Sequence, residues 1–382
     1  MLQSQKHLFS LREGAHYLNC AYKAPLLKSA DQAALKALMR EQNPMDIGVD
    51  DFFDEADEVR ALFGTLVNCS ASEVAIIPAV SYGISSVLNN ISCKKGQHAL
   101  IVENEFPSSY FAIQRWCKNQ EAELKIVQPD INLELIGADW NERILNSISS
   151  QTAVVLMSSI HWMNGLKFDL EAIGKKCKSV GAKFIVDGSQ SVGAMPIDVK
   201  KLHIDALICA GYKWLLGPYS ISLAYIGETF NNGIPLEEAW MNRKNARDFS
   251  NLTDYCAEYT PDAGRYNVGQ RSNFILMAML KEALIQLNEW TAVAIQEYAK
   301  GLIQPLLQYL DSMEVQLEPT AYFSNHLFGL KLPNSINTTT LKENLTANQI
   351  YLSVRGSSLR VSSNVFNTKE DINRLIEVIK SS

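Results

Sequence analysis

No two of the seven cysteines in this 382-residue chain stand at the CxxC spacing of a redox or zinc motif, and their odd number cannot close into a full disulfide set. A disulfide scaffold and a cysteine-bound metal are thereby disfavoured; free thiols in core positions and no metal are the expectation. An excess of positive charge is lacking too. Lys and Arg number 35 against 41 Asp and Glu, a net charge of -6, and the basic residues are dispersed, so no field gathers nucleic acid or anionic lipid. No apolar run reaches the length of a membrane span, and the opening MLQSQKHLFSLREGAHYLN holds no sustained apolar segment of a secretory leader. No membrane partner is expected, and cytoplasm is the default location. No GxGxxG follows an early strand pattern, which disfavours a nicotinamide dehydrogenase. Internal repeats and low-complexity linkers are absent as well.

What the chain does have is apolar content, 47 % of residues, and more length than one core usually holds, so a large and a smaller domain are expected. Residues 73–80, 98–106, 124–127, 152–157, 184–186, 206–210 and 221–226 read as strands. Helical spacing covers 29–40, 51–66, 139–147 and 168–180. Strand, helix, strand alternation favours right-handed crossovers and a largely parallel sheet. From 274 to 310 the pattern is helical. Short strands at 326–332 and 359–361 then alternate with helices at 340–346 and 369–379. The fold class expected is α/β: a mostly parallel seven-stranded sheet flanked by helices, with a smaller α+β C-terminal domain. The divisions read as an arm at 1–27, a large domain at 28–269 and a small one at 270–382.

The segment 183–218 carries the chemistry. One apolar run ends on Asp187 and a turn with Gln190; the next ends on Tyr212 and Lys213. Ligands collect outside the carboxyl ends of parallel strands, so these four side chains are expected at one crevice. A lysine beside Trp214 and Leu215 loses solvation as a cation, which lowers its pKa and frees the amine to attack a carbonyl. A carboxylate on the neighbouring strand end is the group that keeps a pyridinium nitrogen protonated. Both roles fit one cofactor, pyridoxal 5′-phosphate.

On Asp187, Gly188, Ser189, Gln190 and on Ala210, Gly211, Tyr212, Lys213, the chain resembles the fold-type I pyridoxal phosphate enzymes. Within them it is similar to the class V aminotransferase group, which includes cysteine desulfurases, kynureninase and isopenicillin N epimerase-like proteins. The resemblance implies a fold-type I PLP-dependent transferase, a Schiff base on Lys213, Asp187 at the ring nitrogen and Gln190 at the ring hydroxyl. It implies a phosphate turn at Ala79, Val80 and Ser81, joined by Tyr212, which stands where many members have histidine. Phe106 would cover the ring face, and Trp162 takes the place of an asparagine near the ring. Ala210 lacks a hydroxyl that often contacts phosphate. Gln270, replacing a threonine, aligns with a residue that reaches a phosphate in the partner subunit, which implies a homodimer. Arg360 matches the arginine that grips the α-carboxylate of a small-molecule amino acid substrate, with Arg355 as a second candidate, and Asn19 aligns near the substrate pocket.

Taken alone, several of these residues have plainer readings. Ser81 suits a helix N-cap, Asn19 a turn, and Arg360 an edge-strand surface. His161, without an evident partner, reads as structural. Transamination or epimerisation of an amino acid is the leading expectation. The alternatives are Cβ cleavage of the kynureninase or desulfurase kind, or a silent binding protein on the same fold. A desulfurase needs a nucleophilic thiol, and the stretch 355–359 has none, while Cys209 sits inside a strand.

Overall fold

The computed structural model describes residues 2–333, 336–355 and 358–382, with Arg355 in its backbone only. Its elements run β1 (His16–Tyr17), α1 (Lys28–Glu41), α2 (Asp54–Val67), β2 (Val74–Ile77), α3 (Val80–Leu88), β3 (His98–Val102), α4 (Pro107–Gln120) and β4 (Glu123–Val127). They continue with α5 (Gly137–Ser147), β5 (Thr152–Ser158), α6 (Leu170–Val180), β6 (Lys183–Asp187), β7 (Ala206–Ala210) and β8 (Ser222–Ile226). The C-terminal part holds α7 (Phe274–Trp290), α8 (Ala292–Ser312), β9 (Leu327–Lys331), α9 (Thr338–Ala347), β10 (Ile350–Tyr351), β11 (Ser353–Arg355), β12 (Ser358–Ser362) and α10 (Lys369–Lys380).

Seven strands form one sheet in the order β2-β8-β7-β6-β5-β3-β4. Only β8 runs against its neighbours. The sheet's central strands are buried on both faces, as the nearly unbroken apolar run of β5 requires: all seven of its residues are buried. Side chains alternate between two cores. Val155, Met157 and Phe184 pack with Phe63 of α2, Ile173 of α6 and Leu280 of α7. Val154, Leu156 and Ile185 face Ile84 of α3 and Ile113 of α4. Burial of each such side chain contributes about 1.5–3 kcal/mol. The layered α/β architecture matches the expectation.

A second sheet, β11-β12-β9, is antiparallel and packs with α8 and α10 around Leu306, Phe328, Val361 and Leu375. The expected helical stretch 274–310 is two helices. Thr291 breaks it at φ +65°, and its side chain caps α8 by accepting from the Ala294 amide. Helix α7 packs on α1 and α2, and the C-terminal core takes up the chain from α8. The N-terminal arm is tied down: β1 pairs in parallel with β10, and Leu18 is buried in the C-terminal core. No helix among the described residues is long and apolar enough to cross a membrane.

Because β8 is reversed, one edge of the large sheet gathers the carboxyl ends of β3, β5, β6 and β7, the exit of β2 and the start of β8. That edge holds a cavity.

Candidate active site

The cavity has a volume of about 340 Å³. Its lining includes Ala79 after β2, Phe106 after β3, Ser158 ending β5, Asp187 ending β6, Ala210 ending β7 and Ser222 opening β8. Lys213 enters from the turn that follows β7. Gly211 makes this turn possible: a Cβ there would lie 2.3 Å from the Ile221 carbonyl oxygen, so only glycine lets the lysine segment pass the β8 entry.

Asp187 and Lys213 are 6 % and 8 % exposed. Burial lowers the Lys213 pKa, and Arg360 lowers it further, against the pull of Asp187 and Cys20. Burial raises the Asp187 carboxyl, while Ser189, whose amide donates to Oδ1 at 2.9 Å, and Lys213 act the other way. Both groups are thus pushed towards neutrality. A cationic ring nitrogen against Asp187 would restore its charge, so the donor set fits the expected cofactor. The Lys213 Nζ lies 5.5 Å from the Phe106 ring centroid and 5.8 Å from that of Tyr212.

The N-terminus of α3 also lines the cavity, through Ala79, Val80 and Ser81. Its N-cap is Ala79, which offers no side chain to cap the helix, so the first amides stay open to an anion at the positive end of the helix dipole. Ser81, Tyr212, Tyr219 and Ser220 add hydroxyls to the same cavity's lining. Gly83 seats the helix close to the sheet, since a Cβ there would meet Ile77 at 2.6 Å. This helix end fits a phosphate.

Gln190 lines the cavity, but its amide is largely engaged: Nε2 donates to the Ala21 carbonyl at 3.1 Å, and Oε1 accepts from Trp214 Nε1 at 2.9 Å. One N–H remains for a ligand. Trp162 meets Phe106 edge-on at 5.4 Å, and its Nε1 donates to Asn104. Behind it, Arg360 of β12 is 4 % exposed and donates from Nη1 to the Trp162 carbonyl at 2.6 Å. Its Nη2 donates to Ser353 Oγ, which donates on to Asn19 Oδ1. Arg360 and Asn19 therefore share one chain of hydrogen bonds adjoining the cavity without lining it.

Nine of the residues expected at the site line this one cavity: Ala79, Val80, Ser81, Phe106, Trp162, Asp187, Gln190, Tyr212 and Lys213. Gln270 does not; it is exposed at φ +56°. The side chain of Arg355 lies outside the described residues. His161 is buried between Asn164 Oδ1 at 3.0 Å and the Glu103 and Asn104 carbonyls, which accounts for it structurally. Two corrections concern local structure. The strand expected over 98–106 ends at Val102, because Asn104 turns the chain at φ +52°, and Val80 opens a helix where it was read as the end of a strand.

Two buried residues escaped the sequence reading. Glu105 takes hydrogen bonds from Phe106 and Ser158. His326 accepts from Gln296 through Nδ1 and donates from Nε2 to the Gln190 carbonyl, 2.8 Å away, joining the small sheet to the Asp187 turn. Ser158, which holds Glu105, is set opposite Asp187 by the parallel register of β5 and β6.

Residues 48–375 match the family described as Aminotransferase class-V. The chain is 24 % identical over 370 residues, 93 % of each sequence, to an uncharacterized aminotransferase, YcbU, of Bacillus subtilis (strain 168). It is 26 % identical over 267 residues to a cysteine desulfurase of Escherichia coli O8 (strain IAI1), covering 68 % of this chain and 63 % of that one. Among solved structures, the cystine C–S lyase C-DES in complex with its reaction product cysteine persulfide superposes with a TM-score of 0.83. The identity is 18 %, over 96 % of this chain and 97 % of that one.

Proposed function

We propose, because this chain belongs to the class V aminotransferase family, that it moves a proton on and off the α-carbon of an amino acid, transaminating or epimerising it. Its cofactor is pyridoxal 5′-phosphate, which when bound supplies the electron sink that makes such a proton removable. Lys213 would hold the cofactor's aldehyde carbon, Asp187 its ring nitrogen, and Phe106 its face. The α3 amides with Ser81 and Tyr212 would hold its phosphate. The observation that carries the reading is the meeting of Lys213, Asp187 and the uncapped α3 N-terminus in one cavity.

Burial disfavours the charged form of the Lys213 amine, so its Nζ can accept the α-proton and return it. Arg360 would orient the substrate by pairing with its carboxylate, and its anchorage to Trp162 and Ser353 limits the entropy lost on doing so. Asn19 supports that arginine through Ser353. The stage on which Gln270 acts would be a second copy of the chain, since it is exposed and does not line its own cavity; a homodimer is therefore part of the reading. Seven free cysteines support a reducing, cytoplasmic setting.

A thiol-dependent desulfurase is disfavoured. No cysteine lines the cavity among the described residues, and Cys20, near enough to influence Lys213, has its thiol pushed up to about 12 by burial. Such a thiol is a poor nucleophile. Incubating the cofactor-loaded protein with L- and D-amino acids tests the proposal. Keto acid formation or loss of optical activity supports it; release of alanine or sulfide with neither of these would replace it with Cβ cleavage.

A further inference from the structure

Glu105 stands in the turn after β3 and is 6 % exposed. Its Oε1 accepts from the Phe106 amide at 2.7 Å and from the Ser158 hydroxyl, and its Oε2 accepts from the Ser158 amide at 2.6 Å. Ser158 ends β5, lies opposite Asp187 in the parallel register, and lines the cavity, as does Phe106. One carboxyl therefore ties two pieces of the cavity wall together.

The hydrogen-bond arithmetic depends on where a proton sits. While Glu105 is ionised it only accepts, and the single hydrogen of the Ser158 hydroxyl is consumed by it. Once Glu105 is protonated on Oε1, that O–H donates to Ser158 Oγ. The serine hydrogen is then free to rotate towards the cavity. We propose that Glu105 and Ser158 form a proton-gated donor, in which protonation of the buried carboxyl releases the Ser158 hydroxyl to hydrogen-bond an acceptor atom of the bound cofactor.

Burial pushes the Glu105 carboxyl up to about 7, with the charge of Asp187 adding to the rise, so the gate operates near neutral pH. The titratable groups on the elements around it are Asp187 on β6, Lys213 after β7, His161 after β5 and Glu103 in its own turn. Of these, Asp187 is the one whose charge reaches Glu105. Glu105 acts through Ser158 and is a positioning residue.

The inference rests on the cavity being the cofactor site. Affinity of the cofactor-free protein for pyridoxal phosphate, followed by quenching of tryptophan fluorescence from pH 5.5 to 8.5, tests it. One neutral hydrogen bond is worth about 0.5–1.5 kcal/mol, so affinity in the unaltered protein should fall roughly two- to ten-fold as pH rises through the step. Steps owed to the cofactor's own phosphate are common to all variants and cancel in the ratio. Ser158→Ala should bind at the weaker, high-pH level throughout, and Glu105→Gln should show no step. Infrared difference spectra between pH 6 and 8 supply a second readout, in which a protonated-carboxyl band is lost at high pH and is absent from Glu105→Gln. An identical step in both variants, or the same infrared band in Glu105→Gln, overturns the inference alone. No uptake of cofactor by the unaltered protein at any pH would overturn the reading of the cavity as well.

Discussion

Replacing Asp187 by Asn should move cofactor affinity and apoprotein stability in opposite directions. The side chain keeps its shape, and its Oδ1 can still accept from the Ser189 amide, so what is lost is the charge. A hydrogen bond to a charged group contributes about 1.5–3 kcal/mol, which corresponds to roughly a 10- to 150-fold weaker affinity for pyridoxal phosphate. Without cofactor the same charge is a liability. Burial raises the folded-state pKa of Asp187 above its unfolded value of about 3.9, so the folded chain binds the proton more tightly than the unfolded one. The resulting penalty is absent below the unfolded value and grows as pH rises towards the folded one. Asp187→Asn should therefore melt higher than the parent at pH 7, with the difference vanishing near pH 4. Cofactor titration and thermal unfolding of the cofactor-free protein measure the two effects. Parent-like affinity in the variant would refute the assignment of Asp187 to the ring nitrogen.

Lys213→Ala should lower turnover by about 10²–10⁴-fold, the usual contribution of a positioned acid or base, with cofactor still taken up; turnover within a few-fold of the parent would exclude Lys213 as the base. Arg360→Ala should raise KM for amino acids roughly 10- to 150-fold, leaving amines without a carboxylate unaffected, as steady-state comparison of the two substrate types would show. Gly211→Ala should cost about 1–3 kcal/mol by forcing a Cβ against the Ile221 carbonyl oxygen, and an unchanged melting temperature would contradict that packing. His326 is buried with its pKa lowered to about 4 against an unfolded value of about 6.5. Its stabilising effect is complete above pH 6.5 and is lost as pH falls through 4, by about 3 kcal/mol. Comparing the pH dependence of unfolding with His326→Gln checks this.

The strands and the central motif were legible because their signals are local. Runs such as TAVVLMS and ALICA are apolar almost throughout and without alternation, which only a strand covered on both faces tolerates. Lys213 and Asp187 could be paired before any coordinates, because parallel strands put their carboxyl ends on one side. The helix expected over 168–180 was legible too, from its apolar repeat, and is α6. Two breaks were not. Thr291 splits a helical pattern and Asn104 ends a strand, both by a left-handed backbone that propensity does not announce.

Length, composition and motif spacing by themselves determined the layered α/β class, the crevice and the identity of its lysine and acid. These follow from hydrophobic period and strand direction, which each segment carries within itself. Tertiary structure alone decided that Arg360 is anchored by Trp162 and Ser353, that His326 braces the Gln190 turn, and that Glu105 faces Ser158. Each of those pairings spans from seven to nearly two hundred residues of sequence, and a hydrogen bond fixes no pattern in the chain between its partners.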